Sequence, residues 1–306
     1  MKHYITISII IVLLSSLFIG CKKHETESTP ASNIVDAKKG FSISPDNQVY
    51  FATGNLQYQA STNIWRFAEN QWETIGSDNS NISEYYDGWI DLFGWGTSGN
   101  NHGAICYQPW SISSQDTVYY VYSDKTYNLY DLTGEADWGH NTINNANHDY
   151  YWRTLTKDEW RYLFYIRITP SNIRYAKATV NGVNGIILLP DNWERSNYTL
   201  NNTNIHNAQF SSNTISKTDW ITVFETKDAV FLPVTGCRTD TLIHYIDNHG
   251  YYWSSSISTD MFNSNAYYVF FNDDLLYGDC NFSFYNMPIF YRRGLGQSVR
   301  LVRPVD

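Results

Sequence analysis

The chain has 306 residues, carries 21 Lys and Arg against 30 Asp and Glu, and holds a formal charge of −9 at pH 7. That acidic balance, with no basic patch, argues against nucleic acid as a partner. Aromatic residues make up 17% of the chain, Tyr alone contributing 25. With long helical heptads absent, this composition points to many short strands joined by long loops.

Lys2 and His3 precede an apolar run from Ile5 to Ile19, closed by Gly20-Cys21. This is a short basic region followed by a hydrophobic stretch of signal-peptide length. It is too short to span a bilayer as a permanent helix. A small residue before a cysteine is what a lipoprotein signal peptidase requires, although Phe18 stands where the usual lipobox has Leu. Residues 1–20 are read as a lipoprotein signal peptide and Cys21 as the lipidated first residue of the mature chain. Each buried acyl CH₂ contributes about 0.8 kcal/mol, so two or more chains make a stable membrane anchor. Residues 21–40 read as a flexible tether, because Lys22, Lys23, Glu25, Glu27, Ser28, Thr29, Pro30 and Ser32 cannot build a core. About 265 residues then remain, enough for a substantial core.

Strand-like runs fall at Gln48–Thr53, Asn55–Gln59 and Trp65–Ala68, with a Gly54-Asn55 turn between the first two. Gly88–Thr97 (GWIDLFGWGT) is rich in Trp and Gly, and residues 98–150 are mostly polar. The clearest helix is Lys157–Arg167. Thr156 and Glu159 form a T-x-x-E capping box, Trp160, Leu163, Phe164 and Arg167 recur at helical spacing, and Pro170 stops it. Val180–Leu189 reads as a hairpin around Gly182–Gly185, and 191–217 as an Asn-rich loop. Thr218–Glu225 reads as a short helix capped by Thr218, and Ala229–Pro233 as a strand. In Ala266–Asn272, Tyr267, Val269 and Phe271 share one face and Tyr268, Phe270 and Asn272 the other. The last strand, Ser298–Arg303, alternates Val299 and Leu301 inward with Arg300 outward. No internal repeat and no domain boundary is read after residue 40.

Three motifs in order carry a resemblance. Trp152–Trp160 (WRTLTKDEW), Gly250–Ser256 (GYYWSSS) with Asn265–Phe271 (NAYYVFF), and Gly296–Val305 (GQSVRLVRPV) resemble formylglycine-generating-enzyme-like domains of the Fibrobacter major-paralogous type. The likeness covers nearly all of 41–305 and is strongest over 150–305. It implies an α+β, C-type-lectin-like fold of short antiparallel strands, about two helices and long loops, forming one elaborated domain over 41–306. Such proteins are common as surface lipoproteins of Bacteroidetes, which implies an outer-membrane lipoprotein. The residues after Cys21 lack a dense acidic run, so cell-surface and periplasmic faces both stay open. A narrower resemblance is to the variable proteins of diversity-generating retroelements. Their mutagenesis of adenines cannot produce Lys, Glu, Gln, Met or Trp codons. Between Ser254 and Gly296 this chain has no Lys, Glu, Gln or Trp, with Met261 and Met287 the exceptions.

The resemblance implies a binding protein whose partner is a protein or glycan ligand at a cell surface, met through the C-terminal loop and strand, either as a diversified variable protein or as a non-diversified adhesin or glycan-binding surface protein. Candidate ligand-binding residues are Tyr268, Phe270, Asn272, Tyr277, Asp279, Asn281, Phe284, Tyr285, Phe290, Tyr291 and Arg292. Clustered aromatic rings offer large contact area at low entropy cost. Tyr268, Phe270 and Asn272 have two readings: an open recognition face, or core covered by the Asp273–Arg293 loop.

No metal or other cofactor is expected. Asp273, Asp274, Asp279 and Asn281 supply oxygens, but their spacing matches no EF-hand, and the Glu-Pro-Asn or Gln-Pro-Asp sugar motif of calcium lectins is absent. His140 and His148 read as solvated loop residues. Cys106, Cys237 and Cys280 are an odd set with no fixed pairing. Formylglycine-generating enzymes hold copper with a cysteine pair. Cys237 has no neighbouring cysteine, so the chain is not expected to be an enzyme.

Overall fold

A computed structural model of the chain describes residues 40–99, 108–111, 128–131, 135–146, 151–258, 265–280 and 293–305; for Asp279 and Cys280 it describes the backbone only. In chain order the elements are β1 (Phe41–Ser42), β2 (Gln48–Phe51), β3 (Leu56–Gln59), β4 (Ile64–Phe67), β5 (Arg153–Thr154) and helix α1 (Lys157–Arg161). Then come β6 (Tyr175–Val180), β7 (Val183–Leu188), β8 (Thr214–Ile215), helix α2 (Lys217–Asp219), β9 (Val230–Pro233), β10 (Cys237–Thr239) and β11 (Leu242–His244). The last are β12 (Gly250–Ile257), β13 (Ala266–Phe271), β14 (Leu276–Cys280) and β15 (Leu301–Pro304). Short, mostly antiparallel strands with two short helices make this an α+β chain.

The architecture is layered. The β8-β6-β7-β9 sheet and the β12-β13-β14 sheet lie on either side of one core. Tyr175, Ile186, Leu188 and Leu232 enter it from the first sheet, Tyr252, Val269 and Phe271 from the second, and Trp160, Leu163 and Phe164 from α1 and the turn that follows. The outer face of the first sheet sends Ala178, Val180, Ile187 and Phe231 against Trp193, Trp220 and Phe224. The other face of the second sheet sends Tyr251, Trp253, Tyr268 and Phe270 against the β3–β4 hairpin and Phe93, Trp95 and Trp138. The β1-β2-β15-β5 sheet brings the first two described strands beside the last.

The Thr156–Glu159 capping box forms as its sequence requires. Helix α1 then widens into a π turn, Tyr162–Ile166, closed by Arg167 N–H donating to the Tyr162 carbonyl at 2.9 Å. Arg167 is fully buried and its guanidinium donates to Asp191 at 2.9 Å. The second helix starts two residues earlier than its sequence reading. Ser216, not Thr218, is the cap, its Oγ accepting from Asp219 N–H at 3.0 Å. The β6–β7 hairpin also turns earlier, at Asn181-Gly182, both with positive φ. That pair is the tightest two-residue connection the right-handed strand twist favours.

Arg300 corrects the expectation of an outward side chain, for it is fully buried. Its Nε donates to Asn55 Oδ1 at 3.0 Å and its two terminal nitrogens to the Ala52 and Phe231 carbonyls at 3.1 and 2.7 Å. Tyr252, its neighbour, donates to the Pro233 carbonyl at 2.8 Å. Burial, with no carboxylate partner among the described residues, pushes the Arg300 pKa down to about 10, with Tyr252 opposing the shift. Period-two alternation misplaces this residue because polar backbone carbonyls, not water, lie on its side of the strand. The described parts of the polar stretch 98–150 are also less peripheral than their composition implies: Leu129, Ala136, Trp138 and Ile143 are core residues.

Candidate functional site

The described sequence candidates lie on the β12-β13-β14 sheet and its β13–β14 turn, and the structure separates them. Tyr268 and Phe270 are buried, at 1% and 3% exposure. An open recognition face at these two residues is thereby corrected, because the sheet has a hydrophobic core on each side. Tyr268 meets Trp253 edge-on at 6.0 Å, and Phe270 lies 5.1 Å from the Tyr251 ring. Asn272 is half-buried and holds a turn: its Oδ1 accepts from the Asp274 and Leu275 N–H groups, each at 2.9 Å. Tyr277 is 37% exposed, its ring stacked on Phe270 at 6.5 Å. Asp279 lies on β14, with its side chain outside the described residues, as are Cys21, Asn281, Phe284, Tyr285, Phe290, Tyr291 and Arg292. Residues 1–39, read above as signal peptide and tether, are likewise outside them, as are Cys106, the Cys280 side chain, His148, Met261 and Met287.

Two residues that sequence reasoning missed complete the row of rings. Tyr245 is 42% exposed and stacks on His249 with centroids 4.4 Å apart and planes 19° apart. His249 in turn meets Phe270 edge-on at 5.3 Å. Tyr245, His249, Phe270 and Tyr277 thus form one continuous series, exposed at both ends and buried in the middle. Tyr245 sits at φ 59°, a left-handed conformation uncommon for a bulky side chain. The loop is held there because the Asn248 and His249 N–H groups both donate to the Tyr245 carbonyl at 3.1 Å, and Gly236 N–H donates to the His249 carbonyl at 2.9 Å. The sequence signal was the density of rings in His244–Tyr252 (HYIDNHGYY).

The turn between β13 and β14 is fixed from beneath. Lys177, fully buried on β6, donates to the carbonyls of Asn272 at 2.6 Å and Asp273 at 3.2 Å. Burial pushes its pKa down to about 8 against the opposing pull of Asp273 and Asp274. The Phe210 N–H donates to Asp273 Oδ1 at 2.7 Å. On the far side, the Tyr165 hydroxyl donates to the Leu276 carbonyl at 3.1 Å and accepts from Gly278 N–H at 2.9 Å. It thereby ties the outer strand to the segment after α1.

Comparison of the chain with protein-family models, with curated proteins and with solved structures finds no match. The site therefore has to be read from its own chemistry. Among the described residues, no group of three or more His, Cys, Asp and Glu could hold a metal ion. Cys237 is a free, buried cysteine whose pKa burial raises to about 12, so it stays a thiol. His140 is exposed. Among the described residues, no helix is long and apolar enough to cross a membrane. What the surface offers is aromatic faces, a half-buried imidazole and amide groups on a rigid frame, which suits contact with a ligand.

Proposed function

We propose that the chain is a lipid-anchored recognition protein of a bacterial outer membrane. In this reading residues 41–306 form a C-type-lectin-like domain that binds a protein or glycan ligand and carries out no catalysis. The observation that carries it is the row Tyr245, His249, Phe270 and Tyr277, exposed at its two ends and anchored in the core between them. Rigid aromatic rings supply contact area with little ordering cost, and flanking amides such as Asn272 supply hydrogen bonds. The Ile5–Ile19 run closed by Gly20-Cys21 supports the anchor. The family resemblance supports the lectin-like fold: β12, β13 and β15 fall on the motifs that carry it. The buried Cys237 thiol speaks against an oxidase of the formylglycine type.

The test is an array of purified bacterial and host surface glycans probed with the mature protein in detergent. Binding to a defined glycan, weakened about tenfold or more by Tyr245→Ala and by Tyr277→Ala, is the expected result; one such loss corresponds to roughly 1.4 kcal/mol. No glycan held above background would remove the glycan form and leave a protein ligand. A more specific reading, a retroelement-diversified variable protein, draws on the missing Lys, Glu, Gln and Trp between Ser254 and Gly296. It requires a reverse-transcriptase gene and an adenine-bearing near-copy of that coding segment beside this gene. Their absence would sink it.

A further inference from the structure

We propose that His249 is a proton-operated latch on the β13–β14 turn: one proton taken from water by its Nε2 breaks the contact with Asn272 and loosens the turn beside Tyr277. As regulation of recognition, this rests on the binding surface proposed above; the response of the turn to acid does not.

The argument starts from the Asn272 amide. Its Oδ1 accepts from two backbone N–H groups of the turn, at 2.9 Å each. The amide therefore cannot rotate without breaking both bonds, and its Nδ2, a donor only, is the atom that faces His249 Nε2 at 3.4 Å. Nε2 must then be the acceptor. A neutral imidazole carries one proton, so that proton is on Nδ1, which donates to the Tyr251 hydroxyl at 3.0 Å. The ring cannot easily turn away, since Tyr245 stacks on it and Phe270 closes its edge. A proton on Nε2 would point one N–H at another across 3.4 Å, and the turn would have to give.

The surrounding charges do not rescue the charged form. From β6, the Lys177 ammonium already lies 2.6 Å from the Asn272 carbonyl, so a charged His249 adds a second cation at one turn. From β12 comes the Tyr251 phenol, 3.0 Å from Nδ1, while His244 of β11 lies against the Tyr245 ring at 6.0 Å. Asp273 and Asp274 on the turn and Asp247 on the histidine's own loop are exposed; Asp273 is engaged by the Phe210 N–H, and Asp273 and Asp274 act on the Lys177 ammonium. Burial correspondingly holds the His249 pKa below the ordinary histidine value.

The experiment is nuclear magnetic resonance on the full chain in detergent, labelled at histidine and at backbone nitrogen. At neutral pH, His249 should carry its proton on Nδ1. It should titrate below pH 6.5, and the Asp274 and Leu275 amides should shift with the same midpoint. Exchange protection of those two amides, corrected for the intrinsic pH dependence, should fall about tenfold or more on protonation. In His249→Gln both amides should stay constant over the same range. If that variant does not fold, the wild-type tautomer and the coincidence of midpoints decide. A proton on Nε2 at neutral pH, or turn amides that ignore the His249 midpoint, would overturn the latch. Because the readout needs no ligand, failure to find a ligand does not imitate failure of the latch.

Discussion

The two helices are near-copies, and their differences show how context uses one local code. Thr156-Lys157-Asp158-Glu159-Trp160 and Ser216-Lys217-Thr218-Asp219-Trp220 share a hydroxyl cap, a lysine, an acid at the third helical position and a tryptophan at the fourth. Each continues through an apolar residue into a phenylalanine, Leu163-Phe164 and Val223-Phe224, and each widens into a π turn. In both, Trp stacks on Phe, at 6.1 Å in the first and 5.4 Å in the second. The sequence reading found no repeat, because the shared residues are six single-residue matches inside otherwise different segments. Glu159 is long enough to reach back to the Thr156 N–H at 2.8 Å and to grip Arg153 with both oxygens, at 2.6 and 2.8 Å. For Asp219 no such return bond closes the cap: Ser216 accepts from its N–H and the capping box is not completed. The first copy faces the core between the two large sheets, the second the outer side of one sheet.

The comparison breaks most strongly at the tryptophans. Trp160→Ala and Trp220→Ala should each cost about 3–5 kcal/mol in denaturant unfolding, the first more because its cavity opens in the core that both sheets share. Neither indole N–H has a hydrogen-bond partner among the described residues. Trp→Phe at either site should therefore cost much less than Ala, and equal losses would show that a hydrogen bond was missed. The caps come next. Thr156→Ala should cost about 1–2 kcal/mol and Ser216→Ala about half that, since only the first cap is reciprocal. Smaller still is the acid at the third position. Glu159→Gln should cost about 1 kcal/mol, an effect that shrinks in high salt, while Asp219→Asn should stay within about 0.5 kcal/mol.

The last effect shows as a pH slope above neutrality and concerns the sheet between the helices, whose face toward α1 carries Lys177. Its pKa in the folded chain, about 8, lies below the ordinary 10.5. Between those values the unfolded chain binds more protons, so this group makes stability rise with pH from about 8 toward 10.5. Urea midpoints measured from pH 8 to 9.5 should rise, and Lys177→Met should flatten that slope. An identical slope in the variant would show that another group is responsible.

Local chemistry determined much of the fold. Capping residues, helical spacing and period-two runs placed α1, β9, β13 and the last strand within a few residues, because such signals act between near neighbours in the chain; the hairpin reading caught β7 but began at Val180, the last residue of β6. Chain patterns do not say what lies across a face. Only the tertiary structure decided that both faces of β13 are covered, which moved Tyr268 and Phe270 into the core and left Tyr277 at the surface. It turned Arg300 inward to carbonyls contributed by Ala52 and Phe231, hundreds and tens of residues away in the chain. It also brought His249, on whose ring Tyr245 stacks, beside Asn272, a meeting of a loop and a turn. Such meetings depend on long-range packing, and no local propensity encodes them.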